Sequence, residues 1–207
     1  MLIDIARESV RRGLNRGTSG NVSARVPGGF LITPTGIGYD DLVSADLVRL
    51  DAHGVAAPGQ LKPSSEWRFH RDIYAARAEI GAIVHTHSRY ASALACQRRE
   101  LPAFHYMIAL AGGDNVRCAD YATFGSAELS AHALKALQDR HACLLANHGL
   151  IATGADLAHA LALAEEIESL AAQYCAALAC GTPVLLDAAE MARVLAQFRT
   201  YGRQDDS

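Results

Sequence analysis

Apolar residues recur along the chain in two rhythms. Ile3, Ala6, Val10 and Leu14 stand three or four apart, the spacing of one helical face, and predict a helix over residues 2–15. Gly17-Thr-Ser-Gly20 ends it. Residues 21–26 alternate apolar and polar, Pro27-Gly-Gly29 turns the chain, and residues 30–33 return, so a hairpin is predicted. Residues 47–50 read as another short strand. Ser64 or Ser65 is placed to cap a helix reaching about Arg77, with Glu66 in its first turn. Two short apolar runs, 79–84 leading into His85 and 142–147 leading into His148, read as strands. Ser88 can cap a helix over 89–96, and Gly125-Ser126 opens another to about Arg140. Gly154 and Asp156 precede a long helix to about Cys180, which Gly181-Thr-Pro183 terminates. Residues 187–199 close the series, with Met191, Val194, Leu195 and Phe198 on one face. Helices and strands intermix and several neighbouring strands are hairpin-linked. The fold class expected is α/β, with an antiparallel or mixed sheet and helices packed on it.

Composition narrows the function classes. The chain has 207 residues, half of them hydrophobic, which suits one domain spanning 1–207 with a sizeable core. Its formal net charge is −3 and no basic stripe with interleaved aromatics occurs, so no nucleic-acid partner is expected. No apolar segment is long enough for a membrane span. The N-terminus lacks a basic-then-apolar signal pattern. Five cysteines, an odd number without framework or ribbon spacing, read as reduced thiols of a cytoplasmic protein, packed as small hydrophobes.

The chemistry concentrates in His85, His87, His148 and Glu66. Side chains two apart on a strand share a face, so His85 and His87 can bind one cation together. His148 ends a second apolar run and supplies a third imidazole. With the Glu66 carboxylate, this is the inventory of a catalytic zinc site; packed or hydrogen-bonded histidines are the alternative. His70, His132, His141 and His159 have no partner at ligand spacing. The acids Glu165, Glu166 and Glu168 read as a solvated helix face. Three loops rich in small polar groups, Gly20-Asn21, Thr35-Gly36 and Ser64-Ser65, offer backbone N–H groups and hydroxyls to an anion, although each taken alone is more often an ordinary turn or cap.

Several motifs then carry a resemblance. Gly20-Asn-Val-Ser23, Leu31-Ile-Thr-Pro-Thr-Gly36, Pro63-Ser-Ser-Glu-Trp-Arg-Phe-His70 and His85-Thr-His87 come first. His105-Tyr-Met-Ile108 with Ala111-Gly-Gly113, Tyr121-Ala-Thr-Phe-Gly125, His148-Gly-Leu150 and Phe198-Arg-Thr-Tyr-Gly202 follow. Together, and in this order over nearly the whole chain, they resemble the class II aldolase/adducin family. Within it they are most similar to the L-fuculose-1-phosphate aldolases. The resemblance implies one three-layer α/β domain with a mostly antiparallel central sheet between helix layers. It further implies a homotetramer with one Zn2+ per subunit near an interface.

On that resemblance His85, His87 and His148 would hold zinc, with Glu66 as acid/base and occasional fourth ligand. Gly20, Asn21, Thr35, Gly36, Ser64 and Ser65 would hold the phosphate of a phosphorylated sugar. Tyr106, Phe124 and Tyr201 would lie at the aldehyde end, reached from a neighbouring subunit, with Tyr106 acting as a second acid/base. The implied reaction is reversible cleavage of L-fuculose 1-phosphate to dihydroxyacetone phosphate and L-lactaldehyde. Relatives that act on 5-deoxyribulose or methylthioribulose 1-phosphate, and same-fold decarboxylases, epimerases and dehydratases, remain open. So does a non-catalytic module of the adducin kind. Cobalt, manganese or iron could occupy a similar site.

Overall fold

The computed structural model describes residues 1–198. Among them are six helices: α1 (Leu2–Arg11), α2 (Trp67–Ala76), α3 (Arg89–Cys96), α4 (Ala127–Ala136), α5 (Leu157–Cys180) and α6 (Ala188–Phe198). Seven strands form one sheet: β1 (Asn21–Val26), β2 (Gly29–Ile32), β3 (Val48–Asp51), β4 (Ala82–Thr86), β5 (Cys118–Ala119), β6 (Ala142–Leu145) and β7 (Gly149–Gly154). Their spatial order is β3-β2-β1-β4-β7-β6-β5. The neighbours run antiparallel except β5 and β6, which are parallel.

The pleat divides the core into two layers. On β4, Ala82 and Val84 join one apolar cluster and Ile83 joins the other. The first cluster takes Leu2 of α1, Leu94 of α3, Leu161 of α5 and Met191 of α6. The second takes Phe69 and Ile73 of α2 with Leu129 and Ala133 of α4. β4 and β7 sit mid-sheet, covered on both faces, which is why their residues are buried almost throughout.

The structure departs from the sequence reading at several points. The first helix stops at Arg11, not residue 15. Leu14 nonetheless buries, because the backbone N–H groups of Leu14 and Asn15 both reach the Ser9 carbonyl. β7 is a strand the pattern hid: a fully buried run beginning straight after His148 shows no alternation. The two-residue β5 and a 3-10 turn over Tyr106–Ala111 were likewise not anticipated. Glu66 occupies the N-cap position of α2 instead of its first turn, while the Ser64 hydroxyl accepts from the Glu66 N–H before the helix begins. Of the five cysteines, all free, Cys143 is buried and Cys118 and Cys175 pack partly buried against the core; Cys96 and Cys180 are exposed, so packing as small hydrophobes does not describe those two.

Glu168 is not part of a solvated face. From α5 its two carboxylate oxygens accept hydrogen bonds from the N–H groups of Tyr90 and Ala91, each at 2.8 Å. These belong to the first turn of α3. Ser88 stands at the N-cap but its side chain makes no capping bond, so the cap comes from another helix. Replacing Glu168 with Ala should destabilise the protein by about 1 kcal/mol and lower its thermal midpoint by about 2–4 °C. Scanning calorimetry checks this, and an unchanged midpoint would show that water caps α3 equally well.

Candidate metal centre

His85 lies within β4 and His87 just beyond its end, both on the side of the sheet that α2 covers. Asn15, in the loop after α1, fixes this strand end from the backbone. Its Oδ1 accepts from the His87 N–H at 3.1 Å, and its Nδ2 donates to the His85 carbonyl at 3.4 Å and to Ser9 Oγ at 3.2 Å. Gly20 makes room for it, since a Cβ there would stand 2.4 Å from the Asn15 side chain and the backbone is left-handed at φ +76. His148 arrives on the turn between β6 and β7. Asn147 takes the left-handed conformation at φ 55, which asparagine tolerates. Gly149 lets β7 lie against β4, because a Cβ there would fall 2.3 Å from the Thr86 carbonyl oxygen. Glu66 approaches from the N-terminus of α2.

Four ligand atoms, one each from Glu66, His85, His87 and His148, lie within 4.8 Å of one another, and no other such group occurs among the described residues. The protons do not suffice to satisfy them. His85 Nδ1–H donates to the Leu150 carbonyl at 2.9 Å, which leaves a lone pair on Nε2. That lone pair faces His87 Nε2 at 3.0 Å and Glu66 Oε2 at 3.1 Å. Glu66 Oε1 is buried, lies 3.2 Å from His148 Nε2, and makes no hydrogen bond. One proton between the two imidazoles would satisfy that pair alone. A single cation satisfies the whole group, and three imidazoles with a carboxylate suit a divalent metal.

The titration behaviour points the same way. Burial is the main cause that pushes His87 and His148 down to about 4, so both are neutral, metal-binding imidazoles at neutral pH. Burial alone would raise the Glu66 carboxyl, but His85, His148 and the Asn21 amide outweigh it and hold it down to about 2. It is therefore ionised.

His85 is fully buried, and beside it Glu66, His87 and His148 line a cleft of about 320 Å³. Gly20, Asn21, Thr35, Ser64 and Ser65 line one side of it, and Tyr121 and Phe124, both exposed, line another. Among the described residues, no lysine or arginine lines the cleft. Gly36, although adjacent to Thr35, is not among the lining residues. Neither is Tyr106, which is 50% exposed and packs against His105 and Phe198. Tyr201 lies outside the described residues. The Asn21 side chain is already engaged, donating to Glu66 Oε2 at 3.0 Å and accepting from His70 Nε2. A larger cleft of about 560 Å³ lies over Arg25, Arg71 and Tyr74, without the histidines; the chemistry and not the volume marks the site.

Asn15, His70, Asn147 and Tyr121 were missed as site residues. Only His70 carried a usable signal: it follows Glu66 by four residues, the spacing that shares one helical face.

The model of the class II aldolase and adducin N-terminal domain matches residues 1–175. A 5-methylthioribulose-1-phosphate/5-deoxyribulose-1-phosphate aldolase of Rhodospirillum rubrum is 54% identical, over 97% of this chain and 90% of that protein. The L-fuculose phosphate aldolase of Escherichia coli K12 is 50% identical, over 97% and 94%. A solved structure titled L-fuculose 1-phosphate aldolase superposes with a TM-score of 0.92 at 42% identity, covering 96% of this chain and 94% of that one.

Two outcomes follow from the geometry. His148→Ala should lose stoichiometric metal, measured by elemental analysis after gel filtration; a full complement would remove His148 from the ligand set. The metal-free protein should also lose stability as pH falls. His87 and His148 titrate near 4 when folded against about 6.5 when unfolded. Between these values the unfolded chain binds more protons, so stability declines from pH ~6.5 towards ~4. Thermal midpoints across that window check the sign, and a flat profile would contradict it.

Proposed function

The chain belongs to the class II aldolase and adducin family, and we propose that it is a zinc-dependent aldolase that cleaves a ketose 1-phosphate reversibly to dihydroxyacetone phosphate and an aldehyde. The observation that carries this reading is the convergence of three imidazoles and an ionised carboxylate at a cleft also lined by hydroxyls and a glycine. His85, His87 and His148 would hold the zinc, with Glu66 able to close the set. Bound there, zinc supplies positive charge that offsets the negative charge left when a carbon–carbon bond beside a carbonyl breaks.

The chain's own residues do the rest. In the condensation direction ionised Glu66 takes a proton from the hydroxymethyl carbon of dihydroxyacetone phosphate, and in cleavage it returns that proton to the same carbon. Gly20, Asn21, Thr35, Gly36, Ser64 and Ser65 would bind the phosphate through hydroxyls and N–H groups. The N-terminal dipole of α2 would add favourable charge to a cleft that has no basic side chain among its described lining residues. Phosphate binding, remote from the broken bond, positions the reacting carbons. Tyr106 would exchange the proton of the hydroxyl that becomes the aldehyde oxygen. It is exposed and outside its own chain's cleft, so it would do so in the cleft of a neighbouring subunit, within a homotetramer. Phe124 and Tyr201 would flank the same aldehyde. A cytoplasmic setting suits the five free thiols.

Two sugars compete. L-Fuculose 1-phosphate is the first choice, and the 54% identity to an aldolase named for methylthioribulose and deoxyribulose phosphates favours a second reading. An apolar substituent at the aldehyde end separates such substrates by only about 1–3 kcal/mol. The test is release of dihydroxyacetone phosphate from L-fuculose, 5-deoxyribulose and methylthioribulose 1-phosphates, side by side. The expected result is release that a chelator abolishes and zinc restores, with Glu66→Gln retaining zinc but losing most turnover. No release from any of the three by the zinc-loaded protein would move the assignment to a decarboxylase, epimerase or dehydratase on the same fold. Wild-type turnover in Glu66→Gln would remove Glu66 from its role.

A further inference from the structure

Helix α2 and strand β1 meet along a polar seam. Glu66, His70 and Tyr74 stand four residues apart and form one stripe at the helix. Asn21 and Ser23 stand two apart on the facing side of the strand. The two stripes interlock. Asn21 Nδ2 donates to Glu66 Oε2 at 3.0 Å, and Asn21 Oδ1 is bonded to His70 Nε2. His70 Nδ1 lies 2.7 Å from Ser23 Oγ, which lies 2.8 Å from the Tyr74 hydroxyl. Ser23 and His70 are fully buried, Asn21 is 2% exposed, and Glu66 and Tyr74 are 6% exposed.

The direction of every proton in this seam is fixed from one end. An ionised carboxylate only accepts, so Asn21 must turn its NH2 towards Glu66. Its oxygen then faces His70, which must donate from Nε2. The neutral ring accepts at Nδ1, so Ser23 must donate there and accept from Tyr74. Five groups thus form a single donor chain that runs from Tyr74 and ends on Oε2 of Glu66. An asparagine amide is nearly symmetrical in shape, and sterics do not choose between its two orientations. His70 holds the orientation that Glu66 selects: its Nε2–H pairs with the Asn21 oxygen and would meet an N–H head-on were the amide flipped. With the amide flipped, its oxygen would lie against the Glu66 carboxylate.

We propose that His70 is a positioning residue for Glu66, acting through Asn21, and that Ser23 and Tyr74 support the other edge of its ring. The seam anchors Oε2 and leaves Oε1, the oxygen without a hydrogen bond, as the one that exchanges the substrate proton. This rests on the reading of Glu66 as the group that moves that proton. His70 touches neither the cleft nor the group of ligand atoms, so its effect should fall on turnover and not on binding.

The experiment uses the zinc-loaded full chain. His70→Leu should lower kcat by about 10- to 100-fold, with KM and zinc content essentially unchanged. His70→Gln, whose amide can still donate to Asn21 Oδ1, should recover most of the loss. Equal losses in both variants, or none in His70→Leu, would overturn the proposal. A second measurement does not depend on turnover. In histidine-15N NMR of the wild-type protein, His70 should be neutral and protonated at Nε2. A charged or Nδ1–H ring would overturn the proposal even if His70→Leu failed to fold. Should the wild-type protein release no dihydroxyacetone phosphate, the aldolase reading fails, and the tautomer measurement still decides whether the seam orients Glu66.

Discussion

Acceptor atoms converge at the Glu66–His85–His87–His148 group with too few protons among them, and much of the surrounding structure serves to hold them there. The His85 proton is committed to Leu150, two other rings are held neutral, and the facing carboxylate is ionised. Packing lone pairs against one another inside a protein is unfavourable unless a cation stands between them. Groups with no place in a coordination shell nevertheless maintain the arrangement. Asn15 grips the backbone on both sides of Thr86, Gly149 lets β7 approach β4, and Asn21 holds one oxygen of Glu66. Such outer contacts fix ligand direction, which is what metal affinity and reactivity depend on.

The sheet makes this convergence possible. β4 and β7 are central neighbours, so the end of one and the turn before the other meet over the same face. The opposite face is devoted to packing against α1, α3 and α5. On the functional face, apolar positions such as Ile83 and Phe69 continue the second core up to His85, whose ring packs edge-on against Phe69. The polar seam between β1 and α2 interrupts that core with a hydrogen bond for each side-chain polar atom of Asn21, Ser23, His70 and Tyr74, the condition for burying polar groups at modest cost.

Much of this was legible in the sequence. The two-residue period of a strand placed His85 and His87 on one side, and the apolar run before His148 marked a second strand end. The motif order over nearly the whole chain carried the family and the mostly antiparallel sheet. What stayed hidden was long-range. Asn15 lies 70 and 72 positions from its partners His85 and His87, His70 lies 49 from Asn21, and Glu168 lies 78 from Tyr90. A pattern read along the chain treats such residues as loop, helix face and solvated acid, because nothing local distinguishes them. β7 escaped for another reason: strands buried on both faces lose the alternation that marks a strand.

The most direct test of the central claim, that these four side chains form one metal centre, is X-ray absorption at the zinc edge of the zinc-loaded protein. The account predicts a first shell of nitrogen and oxygen at about 2.0–2.2 Å, with outer-shell scattering from three imidazoles. Sulfur in the first shell, or scattering from fewer than three imidazoles, would contradict it.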